Sequence, residues 1–356
     1  GRTAVKVTLN KYLEGMGTTG FGAAQVTDAP NPLNRLSGTL APFPTRTWAD
    51  ANGNFAPDCN LQNYQANGEC LALTNAAIFG TVVAGTSYDP DLLNGWGKRF
   101  NNWEFTTSVQ HEIAPRMALN VQYARRWYGN FRVTDDRAVS PADYNQFTIN
   151  VPSDSRLPNG GRYPLRGFNN TAAGNARPTD YFVTLAKNYG SQTEKFDAIN
   201  FSLNARLQNG LTFQAGVGPG RLVTNDCEVV AALPEMLQAT AGNPTRSFTA
   251  AWRPLERCEQ NNGWRTGVSG LATYTIPKID VLVSGTYQNQ PGIQVDANYN
   301  TPVSATNLGR PFTGATFRNY NIVTAGEVYI ERLNQIDFRV AKLFRLGGSR
   351  TMINFD

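Results

Sequence analysis

Residues 99–129 read RFNNWEFTTSVQHEIAPRMALNVQYARRWYG. Trp103, Phe105, Thr107, Val109 and His111 fall on one parity, and Glu104, Thr106, Ser108 and Gln110 on the other. After Ala114-Pro115-Arg116, Met117, Leu119, Val121 and Tyr123 alternate with Ala118, Asn120, Gln122 and Ala124. Period-two alternation puts successive side chains on opposite faces of a strand, so this stretch is a β-hairpin with one apolar and one polar face.

The same unit recurs along the chain. Ile199, Phe201, Leu203, Ala205 and Leu207 lead through Gln208-Asn209-Gly210, which carries an Asn-Gly hairpin signal, to Leu211, Phe213, Ala215 and Val217. Val268, Gly270, Ala272, Tyr274 and Ile276 turn at Pro277-Lys278 and return as Ile279, Val281, Val283, Gly285 and Tyr287. Ile336, Phe338 and Val340 run through Arg345-Leu346-Gly347-Gly348 to Thr351, Ile353 and Phe355. With Val5, Val7 and Leu9 at the start, the pattern predicts about nine antiparallel strands. Turns of two to four residues alternate with long connections at residues 13–98, 128–193, 225–261 and 289–331.

Short turns on one side and long loops on the other are the signature of an outer-membrane β-barrel. The expected fold is therefore an all-β, antiparallel barrel segment occupying residues 1–356 as one domain, its apolar face toward outer-membrane lipid. The opposite parity carries Lys6, Glu104, Arg206, Asp280, Asp337, Arg339 and Arg350. These belong in a wet or plugged lumen, where Glu104, Arg206, Asp337, Arg339 and Arg350 would bind a ligand or dock a plug. Trp103, Trp127, Trp264 and Tyr287 near the long loops, and Tyr274 and Phe344 near the short turns, fit interfacial girdles. Because single-chain bacterial barrels have even strand numbers, nine strands imply a piece of something longer. The chain enters a strand pattern at once, without a signal peptide, and stops at Asp356 inside another.

Composition narrows the chemistry. Charged residues make up 17% of 356, against roughly 25% in soluble domains. The net charge of +5 is spread out, so no nucleic-acid partner is indicated. A single histidine, His111, excludes a multi-histidine zinc site, and no Ser or Cys stands in a nucleophile-elbow setting. No enzymatic activity is expected. Cys59, Cys70, Cys227 and Cys258 allow three pairings; Cys59–Cys70 and Cys227–Cys258 are favoured, since each pair lies within one loop-like segment. Disulfides place a chain outside the cytoplasm. Residues 228–240, EVVAALPEMLQAT, read as a short helix in the third loop.

One loop offers metal chemistry. In DANGNFAPD, residues 50–58, Asp50, Asn52, Asn54 and Asp58 stand at positions 1, 3, 5 and 9, oxygen donors suited to calcium. The loop departs from an EF-hand at Phe55, where glycine is expected, and at Leu61, where a glutamate is expected. The competing reading is an Asx-rich turn.

The segments DLLNGWGKRFNNWEFTTSVQHEIAPRMALNVQYARRWYGNFRVTDDRAVSPADYNQF, NDCEVVAALPEMLQ and RLNQIDFRVAKLFRLGGSRTMINFD resemble the C-terminal barrel of TonB-dependent-receptor-like outer-membrane proteins. The nearest subgroup is the Oar-like one, with an N-terminal carboxypeptidase-regulatory-like domain. The resemblance implies a 22-stranded barrel around a plug, coupled through a TonB box to an inner-membrane energy-coupling protein. It also implies an outer-membrane location with extracellular loops, and capture and uptake of an unnamed ligand. Plug, TonB box and a final aromatic residue are absent from these 356 residues. The expected alternative is a structural or surface-assembly β-protein that packs against copies of itself or partners, without transport.

Overall fold

The computed structural model describes residues 1–14, 46–74, 87–93, 96–207, 210–238, 251–324 and 326–356. It is an all-β chain. Its strands are β1 (Thr3–Leu13), β2 (Ser87–Tyr88), β3 (Asn101–Ala114), β4 (Met117–Gly129), β5 (Arg132–Asp136) and β6 (Tyr144–Asn150). Then follow β7 (Pro164–Asn170), β8 (Tyr181–Leu185), β9 (Thr193–Arg206), β10 (Leu211–Asn225), β11 (Glu259–Asn261) and β12 (Arg265–Ile276). The last are β13 (Val281–Gln290), β14 (Asn298–Pro302), β15 (Phe317–Asn321), β16 (Leu333–Leu346) and β17 (Ser349–Phe355).

One large sheet dominates, in the order β1-β3-β4-β9-β10-β12-β13-β16-β17, with β11 attached to β10. Along this path every strand is antiparallel to its neighbour and follows it in sequence, an up-and-down meander. The nine expected strands are these nine. The count of nine is too small, however: among the described residues eight further short strands lie inside the long connections or beside them. Among the described residues the meander also does not close. β1 and β17 are its two ends and are exposed along their whole length.

The tight turns explain how the strands reverse. Ala114 pairs with Met117 across a two-residue turn, tighter than the sequence suggests, because a bulge between Glu112 and Ala114 absorbs the extra residue. Arg116 there adopts φ 67°. Ile279 is also displaced from its expected strand. Lys278 (φ 74°) and Asp280 (φ 47°) flank it in the left-handed region, and Ile276 pairs directly with Val281. Gly347 (φ 60°) begins the two-residue Gly347-Gly348 turn between Leu346 and Ser349. Gln208 and Asn209 of the expected Asn-Gly turn lie outside the described residues.

The long connections gather into a cap at the other side. β2, β8 and β5 form one small sheet, β6–β7 and β14–β15 two hairpins. Two hydrophobic cores hold them together. In the first, Phe131 and Val133 from the second connection pack with Val229, Val230, Leu233 and Met236 from the third. In the second, Phe147, Ile149 and Leu165 meet Phe312, Tyr320 and Ile322 from the fourth. Of the helix expected over 228–240, only Cys227–Ala232 is α-helical; Pro234, which lacks an N–H, ends it and opens a 3-10 turn through Leu237, and residues 239–240 lie outside the described residues.

Candidate functional site

Backbone register carries the hairpin pattern across all nine strands. Val5 pairs with Val109, Val109 with Val121, Val121 with Phe201, Phe201 with Val217 and Val217 with Val268. Further along, Tyr274 pairs with Val283, Val283 with Val340 and Val340 with Phe355. Pairs directly opposite in an antiparallel ladder point to the same face, so one apolar surface runs from edge to edge. It is not covered: Val5 is 65% exposed, Phe201 43%, Phe338 60% and Ile336 76%. A contiguous exposed apolar surface of this extent marks a membrane or protein interaction site.

Aromatic residues border this surface. On the cap side Trp103 and Trp127 stack with ring centroids 6.3 Å apart, and Arg221 lies 5.0 Å from the Trp264 ring. Toward the short turns, Lys342 lies 5.8 Å from the Phe344 ring. From Leu119 to Trp127 the apolar parity of β4 spans eight residue steps, about 27 Å along a strand. At a strand tilt of about 40° that is about 21 Å of height, most of the roughly 25 Å band of membrane barrels.

The opposite face is polar, and all five residues singled out from the sequence stand on it, in separate places. Glu104 accepts from Arg126 Nε at 2.9 Å across the β3–β4 pair. Arg206, at the end of β9, donates its N–H to the Arg116 carbonyl at 3.0 Å. Together with Glu112 and Arg116 it lines an open cleft of 740 Å³ near the short turns. Asp337 accepts from the Thr286 hydroxyl at 3.0 Å and from Gln335 at 2.9 Å, and Arg339 donates to Asp356 at 2.9 Å. Arg350 pairs with Arg345 in the β16–β17 register, and Arg345 reaches Asp280 at 3.1 Å. His111 sits at the β1–β3 pair, its Nδ1 2.8 Å from the Thr3 hydroxyl. The expected lumen charges thus share a face without converging on a single site.

Both favoured disulfides form, Cys59–Cys70 and Cys227–Cys258. Beside the first, the Asp50 carboxylate accepts from the amides of Gly53 at 2.7 Å, Asn54 at 3.2 Å and Phe55 at 2.9 Å. Asn52 and Asn54 donate their side-chain amides to Asp58. Phe55 takes φ 59°, the left-handed conformation for which an EF-hand loop uses glycine. The loop oxygens thus serve its own amides, a metal-free account of the turn. Among the described residues no group of three or more His, Cys, Asp or Glu side chains is placed to hold a metal ion.

The cap itself was not foreseen. Tyr320, fully buried, joins three connections: it makes edge contacts with Phe147 and Trp252 and donates to the Phe168 carbonyl at 3.2 Å. Gly167 makes room for it, since a Cβ there would stand 2.6 Å from the Phe147 ring and 2.9 Å from the Tyr320 hydroxyl. Arg253 pairs with the buried Asp226 at 3.1 Å. Burial raises the Glu235 carboxyl to about 7, and Asp135 and Asp136 add to the effect. Asp143 is held below the ordinary carboxylate range by Arg177 and by Ser140. The one signal in the sequence was the alternation Phe147, Ile149, Val151, too short to stand out within a connection of over sixty residues.

Comparison with known protein families, characterised proteins and solved structures finds no match.

Proposed function

We propose that this chain forms part of the wall and the outer loops of an outer-membrane β-barrel that captures an extracellular ligand for uptake. The observation that carries this reading is the exposed apolar face, continuous in register over nine strands and backed by a polar face. In water such a surface would drive aggregation; in a bilayer it is the required exterior, with the polar parity facing a hydrated lumen. The disulfides support an extracytoplasmic location, with the cap outside the cell. The exposed edges of β1 and β17 support closure by further strands. A plug and TonB-type coupling are inferred from the sequence resemblance alone, and so is uptake as the outcome of capture.

Vesicle flotation tests this. The refolded chain should float with phosphatidylcholine vesicles while retaining its β-sheet circular dichroism. A folded chain that stays in the aqueous phase would overturn the membrane reading. A second reading, a structural β-protein that assembles with copies of itself, is favoured by the same two exposed edges. It predicts edge-to-edge oligomers in solution that form without lipid.

A further inference from the structure

We infer that the cap-side border of the apolar face binds the anionic phosphate headgroup of a membrane lipid, an inference that rests on the membrane reading above. Two adjacent cross-strand rows build the site. Lys11 pairs with Trp103, Trp103 with Trp127 and Trp127 with Lys195. In the next row Leu9 pairs with Phe105, Phe105 with Arg125, Arg125 with Asp197 and Asp197 with Arg221. Four cations therefore share this border with one carboxylate.

That carboxylate is already engaged. Asp197 is buried, lies 3.8 Å from Arg125 and 3.5 Å from Arg221, and accepts from the Tyr123 hydroxyl at 2.7 Å. Neither Lys11 nor Lys195 forms an ion pair among the described residues; Lys11 lies 5.2 Å from the Trp103 ring instead. Arg125 and Lys195, with Leu9, Phe105 and Trp127, line an open cleft of 490 Å³.

An apolar floor of Leu9, Phe105 and Trp127 flanked by Arg125 and Lys195 matches an acyl chain ending in a phosphate, whereas a free anion would make no use of the apolar floor. Hydrocarbon would not tolerate four cations, whereas the headgroup layer supplies the missing negative charge. Guanidinium and ammonium groups beside indole rings are the side chains that grip phosphate at that depth.

The test uses the full chain in vesicles of equal phosphatidylglycerol and phosphatidylcholine, with native mass spectrometry of the lipids it retains after gentle extraction. Phosphatidylglycerol should be retained in preference. Each cation beside an anionic surface is worth about fivefold in binding, so the double variant Lys11→Gln, Lys195→Gln should lower that retention by about twenty-five-fold. Lys6→Gln, on the polar face, should leave it unchanged. Both lysines of the double variant are exposed, and retained β-sheet circular dichroism checks that it folds. Equal retention of the two lipids, or no effect of the double variant, would overturn the headgroup site and leave the membrane reading standing. Displacement of the lipid by millimolar inorganic phosphate would reassign the site to a free anion. A folded chain that does not enter these vesicles overturns both readings.

Discussion

The sheet and the cap solve the burial problem in opposite ways. Among the described residues, all the large buried apolar side chains (Tyr320, Ile149, Leu185 and Leu237 foremost) belong to the connections. The meander contributes only small or polar ones, such as Ala198, Ala205, Ala341 and Asp197. The cap therefore carries its own hydrophobic stabilisation in water, at roughly 25 cal/mol per Å² of apolar surface removed from solvent. The sheet leaves its apolar face open and needs another medium to cover it. The lesson is that the described parts of the second, third and fourth connections are the cored part of the molecule, and the regular strands are its solvent-dependent part.

That contrast breaks most visibly at Tyr320. Tyr320→Ala removes the ring that joins three connections and should cost the cap about 3–5 kcal/mol. Hydrogen exchange should then accelerate over residues 144–170 and 298–323, while β3, β4, β9 and β10 keep their protection. Loss of protection in both regions would mean that the cap and the sheet fold as one unit.

The converse change belongs on the sheet. Phe201→Arg sits mid-band on the apolar face and should cost about 2–4 kcal/mol of stability in a bilayer. Measured by denaturant titration in lipid vesicles, the loss should be confined to the lipid-inserted form. An equal loss in a detergent-free aqueous sample would place Phe201 in a protein interface.

A smaller effect sharpens the difference through pH. In the folded cap Glu235 titrates at about 7, above its ordinary value of 4.5. Between those values the folded state holds a proton that the unfolded chain releases, so cap stability falls as pH rises through that window and levels off above it. The whole effect amounts to at most about 3 kcal/mol. Glu235→Gln should flatten it, and the apolar sheet face should show no counterpart. An unchanged pH profile in the variant would show that Glu235 is solvated.

The sheet was legible because alternation is a local signal. Each of the nine strands declares its own two faces, and Phe105, Val121, Phe201 and Val217 needed no knowledge of one another to be placed on the same side. The disulfides were legible for the same reason, each pair falling within one connection. The cap was not, because its contacts are non-local: Phe147 meets Tyr320 from another connection, and Val133 meets Val229 from a third. Its strands, as short as Ser87–Tyr88, leave too few residues for a period to register. Where the sheet itself departed from expectation, at Ala114 and Ile279, the cause was a bulge and a pair of left-handed turn residues, features that alternation does not encode. The polar-face charges were placed on their face by parity, but parity is silent on position along the strands, and so on their separation into distinct groups.

The most direct test of a lipid-facing wall is a nitroxide scan of β4, residues 117–129, with the chain in lipid vesicles and accessibility to oxygen and to a water-soluble nickel complex read at each position. A lipid-facing sheet predicts period-two alternation, with oxygen favoured at 119, 121 and 123 and the nickel complex at 118, 120 and 122. Nickel accessibility at every position, or protection from both reagents on the odd parity, would contradict it and assign the apolar face to another protein surface.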